Sequence, residues 1–156
     1  MVPTSLVVLV VVPHEGRYLI VEERDGTFYL PAGKVEPGES LIAAAIRETV
    51  EEAGVMIGLR GLLGFEQDWY EQPHRTRLRF CFVGFLALLT PPKRCPDEHS
   101  RGAAWRTREE LGSLPLRHPE VIAWIDRYER GDALLPCAAY QPAETERTRT
   151  WSARLG

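Results

Sequence analysis

The sequence predicts a single α/β domain in which helices cover both faces of a mixed β-sheet. Strand-like segments rich in β-branched residues begin the chain, and two later segments have the apolar period of amphipathic helices. The 156 residues are enough for one domain with a sizeable core, and the 44% hydrophobic and 26% charged fractions are ordinary for a globular protein. We expect residues 1–142 to form this domain and residues 143–156 to be a polar, loosely ordered tail.

The first part of the chain predicts a buried strand followed by a hairpin. Leu6–Val12 is β-branched and apolar, as a fully buried strand would be. Arg17–Arg24 and Thr27–Leu30 are strand-like and flank Asp25-Gly26, which is a strong hairpin turn signal. The segment from Pro31 to Glu39 contains two prolines and two glycines, so we expect a loop there.

A helix is predicted to follow this loop. Ser40 is a suitable N-cap, and Gly54 is a suitable C-terminal stop for a helix that ends near Ala53. Apolar and small residues recur with helical spacing and predict the buried face of this helix. They are Ile42, Ile46, Thr49, Val50 and Ala53.

The remaining segments complete the predicted α/β order. Ile57–Tyr70 and Arg75–Leu89 are strand-like on either side of a turn, and a polar loop runs from Pro91 to Gly102. Thr107, with Glu110 three positions later, has the pattern of a helix-capping box. The last predicted elements are a short strand at Ala103–Arg106 and an amphipathic helix at His118–Arg130.

Charge and cysteine content narrow the classes of protein. A net charge of −3 gives no reason to expect generic attraction to nucleic acids or acidic membranes. The three cysteines include no CxxC pair, which argues against a disulfide framework and favours a reducing cytoplasm. Leu6–Val12 is much shorter than the roughly 20 residues of a membrane-spanning helix. We expect a monomer or a homodimer with no membrane partner.

Three acidic residues are grouped on one face of the predicted helix. Glu48, Glu51 and Glu52 fall within an arc of roughly 100°, on the side opposite to the apolar residues. Like charges one turn apart repel by roughly 0.2–0.5 kcal/mol per pair, and a divalent cation would relieve that repulsion. Magnesium prefers carboxylate oxygens and completes its shell with water and phosphate. A solvated acidic surface is the competing interpretation of these three residues taken alone.

The segment around these residues resembles the Nudix box, Gly-x5-Glu-x7-Arg-Glu-U-x-Glu-Glu-x-Gly-U, where U is a bulky aliphatic residue. All fixed positions match, namely Gly33, Glu39, Arg47, Glu48, Glu51, Glu52 and Gly54. At a frequency of roughly 0.06 for each residue type, seven matches arise by chance at about 3 × 10⁻⁹ per starting position. Val55 fills the last U, whereas Thr49 departs from the first, where its methyl group can still pack.

The resemblance implies a Nudix fold, an α/β/α sandwich with a mixed sheet and a loop–helix–loop catalytic motif. It implies a magnesium- or manganese-dependent hydrolase of pyrophosphate linkages, with Glu51 and Glu52 as metal ligands and Glu48 as a ligand or water-orienting base. The carbonyl of Gly33 often joins the metal shell in this family. By the same resemblance, Arg47 would hold the glutamates through charge-assisted hydrogen bonds and Glu39 would support the loop.

Candidate residues outside the box have two open interpretations each. Asp97 and Glu98 lie in a loop where many family members place an acid that reaches a metal or acts as base, and Glu98 is our candidate for that role; a solvated loop acid is equally compatible. Three arginines share one strand face and could contact phosphate, although a solvent-facing strand is the interpretation we favour. They are Arg75, Arg77 and Arg79.

Aromatic residues could stack on a heterocyclic base, but such residues more often serve packing. The candidates are Phe28, Trp69 and Tyr70, and we single out Tyr70, with Arg77 and Arg79, for substrate binding. Cys81 lies in an apolar strand and is expected to be buried.

We expect a small phosphorylated substrate, in the first place a nucleotide. Leu116–Leu135 resembles a bacterial branch of the family that acts on nucleoside di- and triphosphates and on pyrophosphorylated thiamine precursors. Two alternatives stay open. One is a Nudix-fold domain that binds a ligand without turnover, although such domains usually lose box glutamates and this chain keeps them. The other is an RNA 5′-end pyrophosphohydrolase, against which the acidic balance argues.

Overall fold

The computed structural model describes residues 2–140. The expected domain boundary at residue 142 and the expected tail lie outside these residues. Within residues 2–140, eight strands, three α-helices and one 3₁₀ helix (Cys137–Ala139) follow one another. The strands are β1 (Thr4–Val11), β2 (Pro13–His14), β3 (Arg17–Glu22), β4 (Phe28–Tyr29), β5 (Ala32–Lys34), β6 (Ile57–Glu71), β7 (His74–Leu86) and β8 (Gly102–Arg106). The helices are α1 (Leu41–Ala53), α2 (Arg108–Leu111) and α3 (Glu120–Glu129).

The strands form two four-stranded sheets. The first has the order β5-β1-β7-β6 and is mixed, because β1 runs parallel to β7 while the other two pairs are antiparallel. The second is antiparallel, and its central strand β3 pairs with β2 and β4 on one side and β8 on the other. The hairpin predicted around Asp25-Gly26 is therefore confirmed.

Helices pack on both faces of these strands. Successive side chains of β1 point to opposite sides, so Val8 and Val10 join the core that includes Ala44 and Ala45 of α1. Leu9 and Val11 join the opposite core, which contains residues of α3. The α/β/α sandwich with a mixed sheet is confirmed, and the helix α1 is held against one face of it.

Helix α1 begins and ends where the sequence predicts. The Ser40 hydroxyl accepts a hydrogen bond from Ala43 N–H at 3.1 Å, and Gly54 ends the helix with a left-handed φ of 67°. The expected buried face is partly wrong, because Val50 is 38% exposed. Two small residues, Ala44 and Ala45, are fully buried instead and let the helix approach the strands closely.

Other expectations need small corrections. The expected loop from Pro31 to Glu39 contains the strand β5, which pairs with the Val7–Leu9 part of β1. Leu6 is 37% exposed, so the first strand is fully buried only in its second half. The capping box at Thr107 and Glu110 is confirmed at the start of α2. Between residues 2 and 140, the helices are too short or too polar to cross a lipid bilayer.

Candidate active site

The carboxylate of Glu48 lies directly against the backbone of Gly33. A Cβ atom built on Gly33 would come within 1.9 Å of the Glu48 carboxyl carbon and 2.0 and 2.3 Å of its oxygens. These distances are far below van der Waals contact, so only glycine leaves room for the acid there. The strand β5 and the helix α1 therefore meet at this pair, which explains why the sequence has a glycine at this position.

Arg47 forms hydrogen bonds with three glutamates of the box. Its guanidinium donates hydrogen bonds to Glu39 at 2.7 and 2.9 Å, to Glu48 at 2.8 Å and to Glu51 at 3.0 Å. It also donates to the Lys34 carbonyl at 3.0 Å, so it joins the helix to β5. The hydrogen bonds from Arg47 lower the pKa of Glu39, which also accepts one from the Glu36 N–H. Arg47 is thus placed to orient two of the three helix carboxylates.

Glu52 lies on the inner side of the acidic face. One oxygen of its carboxylate accepts a hydrogen bond from Ala32 N–H at 2.9 Å. Within residues 2–140, this is the single hydrogen bond that the carboxylate accepts. Burial raises the pKa of Glu52 to about 8. Burial also raises the pKa of Glu48, although Arg47 opposes the shift.

These groups suit a hard divalent cation in their chemistry. Three carboxylates from one helix face, two with pKa values raised by burial, form a set of oxygen donors that a cation would keep ionised. In the part of the chain that the structure describes, however, no three acidic, histidine or cysteine side chains converge tightly enough to enclose an ion. Arg47 accounts for part of this, because it holds Glu48 and Glu51 by hydrogen bonds.

The two acidic residues of the loop before β8, Asp97 and Glu98, have different surroundings. Asp97 accepts hydrogen bonds from Lys93 at 2.7 and 2.8 Å, which lower its pKa to about 2. It is therefore bound within its own loop. Glu98 is 83% exposed and lies 3.4 Å from His99, which in turn lies 3.9 Å from Glu51. His99 thus lies between Glu98 and the acidic face.

A cavity of about 270 Å³ opens beside Gly33. Tyr70, Arg77 and Arg79, our sequence candidates for substrate binding, all line it. Four of the other lining residues were not among our sequence candidates, because nothing in the local sequence links them to one another. They are Tyr29, Arg117, His118 and Glu120. The other aromatic candidates lie elsewhere, since Trp69 is 75% exposed and Phe28 packs against the core.

A buried acid organises the wall of this cavity. Glu120 is 6% exposed and contacts the Arg79 guanidinium and the Tyr29 hydroxyl. Arg79 also pairs with Glu66 and Asp68, each at 3.1 Å. Burial raises the pKa of Glu120 to about 7, while contact with Arg79 favours its ionised form.

The solvent-facing strand that we favoured for the three arginines is wrong for Arg79. Its side chain is only 13% exposed, because the carboxylates around it draw the guanidinium inward. Arg75 is exposed and stacks over Tyr70 at 4.3 Å. Arg77 lines the cavity, and its buried Nε has no hydrogen-bond partner among residues 2–140.

Comparison with known proteins identifies the family. A family model of the NUDIX domain matches residues 2–125. A solved structure of a NUDIX hydrolase from Nitrosomonas europaea is similar, with a TM-score of 0.78 and 32% identity over 90% of this chain and 97% of that one. The chain therefore belongs to the Nudix family and has its fold.

Curated relatives carry more specific names. Phosphatase NudJ of Escherichia coli strain K12 is 33% identical over 125 residues, which are 78% of this chain and 80% of NudJ. The human 8-oxo-dGDP phosphatase NUDT18 is 31% identical over 125 residues, 78% of this chain but 37% of that protein. Its mouse counterpart is 33% identical over 105 residues, 65% of this chain and 30% of that protein. The chain thus spans about a third of the length of the two mammalian relatives.

Proposed function

We propose that this protein hydrolyses a pyrophosphate linkage in a nucleoside di- or triphosphate, or in a related small metabolite, with Mg²⁺ or Mn²⁺. The observation that carries the proposal is the position of the box. Gly33, which contacts the Glu48 carboxylate, also lines the cavity, so the acidic face and the cavity adjoin. A substrate in the cavity would present its phosphates to the carboxylates of α1.

In this proposal the residues of the box have separate roles. Glu51 and Glu52 would hold the cation, and Glu48, which lies against Gly33, and the Gly33 carbonyl would complete the site or orient water. Arg47 and Glu39 hold the glutamates of α1 in a fixed position relative to β5. When bound, the cation would neutralise charge at the phosphates and lower the pKa of the attacking water. Glu98 and His99 extend from Glu51 towards solvent, so they are our candidates to accept the proton of that water.

The charges of the cavity support an anionic substrate. Its lining contains the cations Lys34, Arg77, Arg79 and Arg117 and the acids Asp68 and Glu120. The excess of positive charge suits phosphate groups. Its volume of about 270 Å³ lies just below the roughly 300–1,000 Å³ typical of small-ligand sites, so it suits one nucleoside-sized group.

The names of the relatives support the same substrate class. NUDT18 is named as an 8-oxo-dGDP phosphatase and NudJ as a phosphatase. Both names describe removal of a phosphoryl group, so we place nucleoside di- and triphosphates first among the substrates.

The cytoplasm is the compartment that we propose, on the basis of three free cysteines.

A substrate panel with product analysis tests the proposal. Nucleoside di- and triphosphates, including 8-oxo-dGDP, would be compared with nucleotide sugars and 5′-triphosphorylated RNA in the presence of Mg²⁺ or Mn²⁺. We expect small nucleotides to be hydrolysed with the highest kcat/KM. Preference for the RNA would support an RNA-end pyrophosphohydrolase instead. Tight nucleotide binding with no turnover would support a ligand-binding domain.

A further inference from the structure

We propose that Arg117 binds the phosphate chain of the substrate at the mouth of the cavity, and that Glu23 and Tyr29 position it. This inference rests on the proposed function and names a residue outside the Nudix box for the same site. Arg117 lies between α2 and α3, outside every element to which the sequence assigned a role in binding.

The backbone of Arg117 is fixed by strand-like pairing. Its N–H donates to the Phe28 carbonyl at 3.0 Å, and Phe28 N–H donates to the Pro115 carbonyl at 3.0 Å. Leu116 forms a bridge to Phe28 as well. The segment therefore extends the edge of β4, and Arg117 projects from a rigid base and not from a free loop.

The guanidinium is oriented from two sides. It donates to Glu23 at 2.8 Å and lies 5.0 Å from the centre of the Tyr29 ring, within the range of a cation–π contact. Tyr29 is only 6% exposed, and its hydroxyl contacts the Glu120 carboxylate. Donation to a carboxylate makes the Tyr29 ring more electron-rich, which strengthens its attraction for the cation.

Arg117 also stands at the junction of two spaces. It lines the cavity beside Gly33 and Lys34, and it lines an open groove that reaches His99, the neighbour of Glu51. A phosphate chain running from the cavity to the helix carboxylates would pass this guanidinium.

The chemistry of the side chain suits this role. A guanidinium binds phosphate oxygens in a bidentate manner, and Arg117 is about half exposed, so part of its donor set faces the space that the substrate would occupy. Glu23 uses one side of the fork and keeps the side chain from swinging into solvent. The cation is therefore preorganised, which reduces the entropy lost on binding.

The test compares Arg117→Ala and Arg117→Lys with Arg101→Ala. Arg101 is a matched control, because its side chain is 51% exposed against 53% for Arg117 and it also pairs with one glutamate, Glu22. Methylenediphosphonate serves as a phosphate-chain probe without a base, and its binding in Mg²⁺ is measured by calorimetry. Steady-state kinetics with the best nucleotide of the panel and thermal unfolding are measured on the same variants.

We expect Arg117→Ala to weaken probe binding and raise KM by tenfold or more, with unchanged thermal stability. Arg117→Lys should be intermediate, because it keeps the charge but loses the planar fork. Arg101→Ala should match the wild type. Wild-type binding and KM in Arg117→Ala would overturn the inference while leaving the proposed function intact. A wild-type protein that neither binds the probe nor hydrolyses any nucleotide would overturn both.

Discussion

Replacing Gly33 by Ala tests whether the position of the Glu48 carboxylate matters for the reaction. The new Cβ would lie 1.9 Å from the Glu48 carboxyl carbon, where ordinary contact is roughly 3.5–4.0 Å. The carboxylate would therefore have to retreat by about 1.5–2 Å. Because Glu48 is a flexible side chain, it can move while β5 and α1 stay in place.

The displacement should cost activity more than stability. A misplacement of about 1 Å in a catalytic group costs on the order of 10²-fold, so we expect kcat to fall by at least about 100-fold, or roughly 2.7 kcal/mol of barrier. Loss of the hydrogen bond from Arg47 to Glu48 costs on the order of 1 kcal/mol. The lower backbone entropy of alanine in the unfolded chain offsets about 0.4–1 kcal/mol of it.

Steady-state kinetics in Mg²⁺ and urea denaturation on the same sample measure the two effects. Gly112→Ala is the control. A Cβ atom at Gly112 would lie 3.3 Å from its nearest neighbour, the Glu109 carbonyl oxygen at the end of α2, away from the box. We expect that control to keep wild-type kcat. A kcat for Gly33→Ala within threefold of wild type would refute the role given to Glu48, and a loss of folding cooperativity would refute the claim that only a side chain moves.

Three further predictions concern other charged groups. Glu51→Gln and Glu52→Gln should each lower kcat by roughly 10²-fold or more with the fold intact, because removing one electrostatic group from a preorganised site typically has that cost. Calorimetric titration of these variants with Mn²⁺ should show weaker binding of the metal. Wild-type turnover in both variants would mean that the active site is misplaced. Arg77→Ala should raise KM about tenfold, or about 1.4 kcal/mol, because Arg77 lines the cavity. Arg79→Ala should mainly lower the free energy of unfolding, by about 3 kcal/mol, because it leaves the buried Glu120 without its ion-pair partner. Equal effects of the two variants on KM and on stability would contradict this division. Asp97→Asn should reduce stability at neutral pH, because the hydrogen bonds from Lys93 hold the pKa of Asp97 at about 2, below its ordinary value of 3.8. The stability advantage of the wild type is complete above about pH 4 and should vanish as the pH falls towards 2. A difference in the free energy of unfolding that is constant with pH in chemical denaturation would exclude this origin.

Helix α1 was predictable from local sequence because its determinants are local. Ser40 and Gly54 specify its ends through hydrogen bonding and backbone conformation. The spacing of the three glutamates places them on one face whatever the rest of the chain does. The buried face was less certain, since periodicity does not show that the small side chains Ala44 and Ala45 carry the closest packing while Val50 is exposed.

The cavity could not be derived in the same way. Its wall joins Tyr29, Arg79 and Glu120, which are separated by 41 to 91 residues in the chain. Strand alternation placed Arg79 on the polar face of β7, but it could not show that three acids draw the guanidinium inward. The site of Arg117 likewise depends on pairing of its segment with β4, for which local sequence carries no signal.

The rate of nucleotide hydrolysis as a function of free Mg²⁺ tests the central claim most directly. The protein would be stripped of metal with a chelator, and the release of phosphate or pyrophosphate from the best substrate of the panel would be followed as Mg²⁺ is returned. We expect no turnover without metal and a saturable recovery, because the three glutamates of α1 repel the phosphates unless a cation neutralises them. Full activity after complete metal removal would contradict the account.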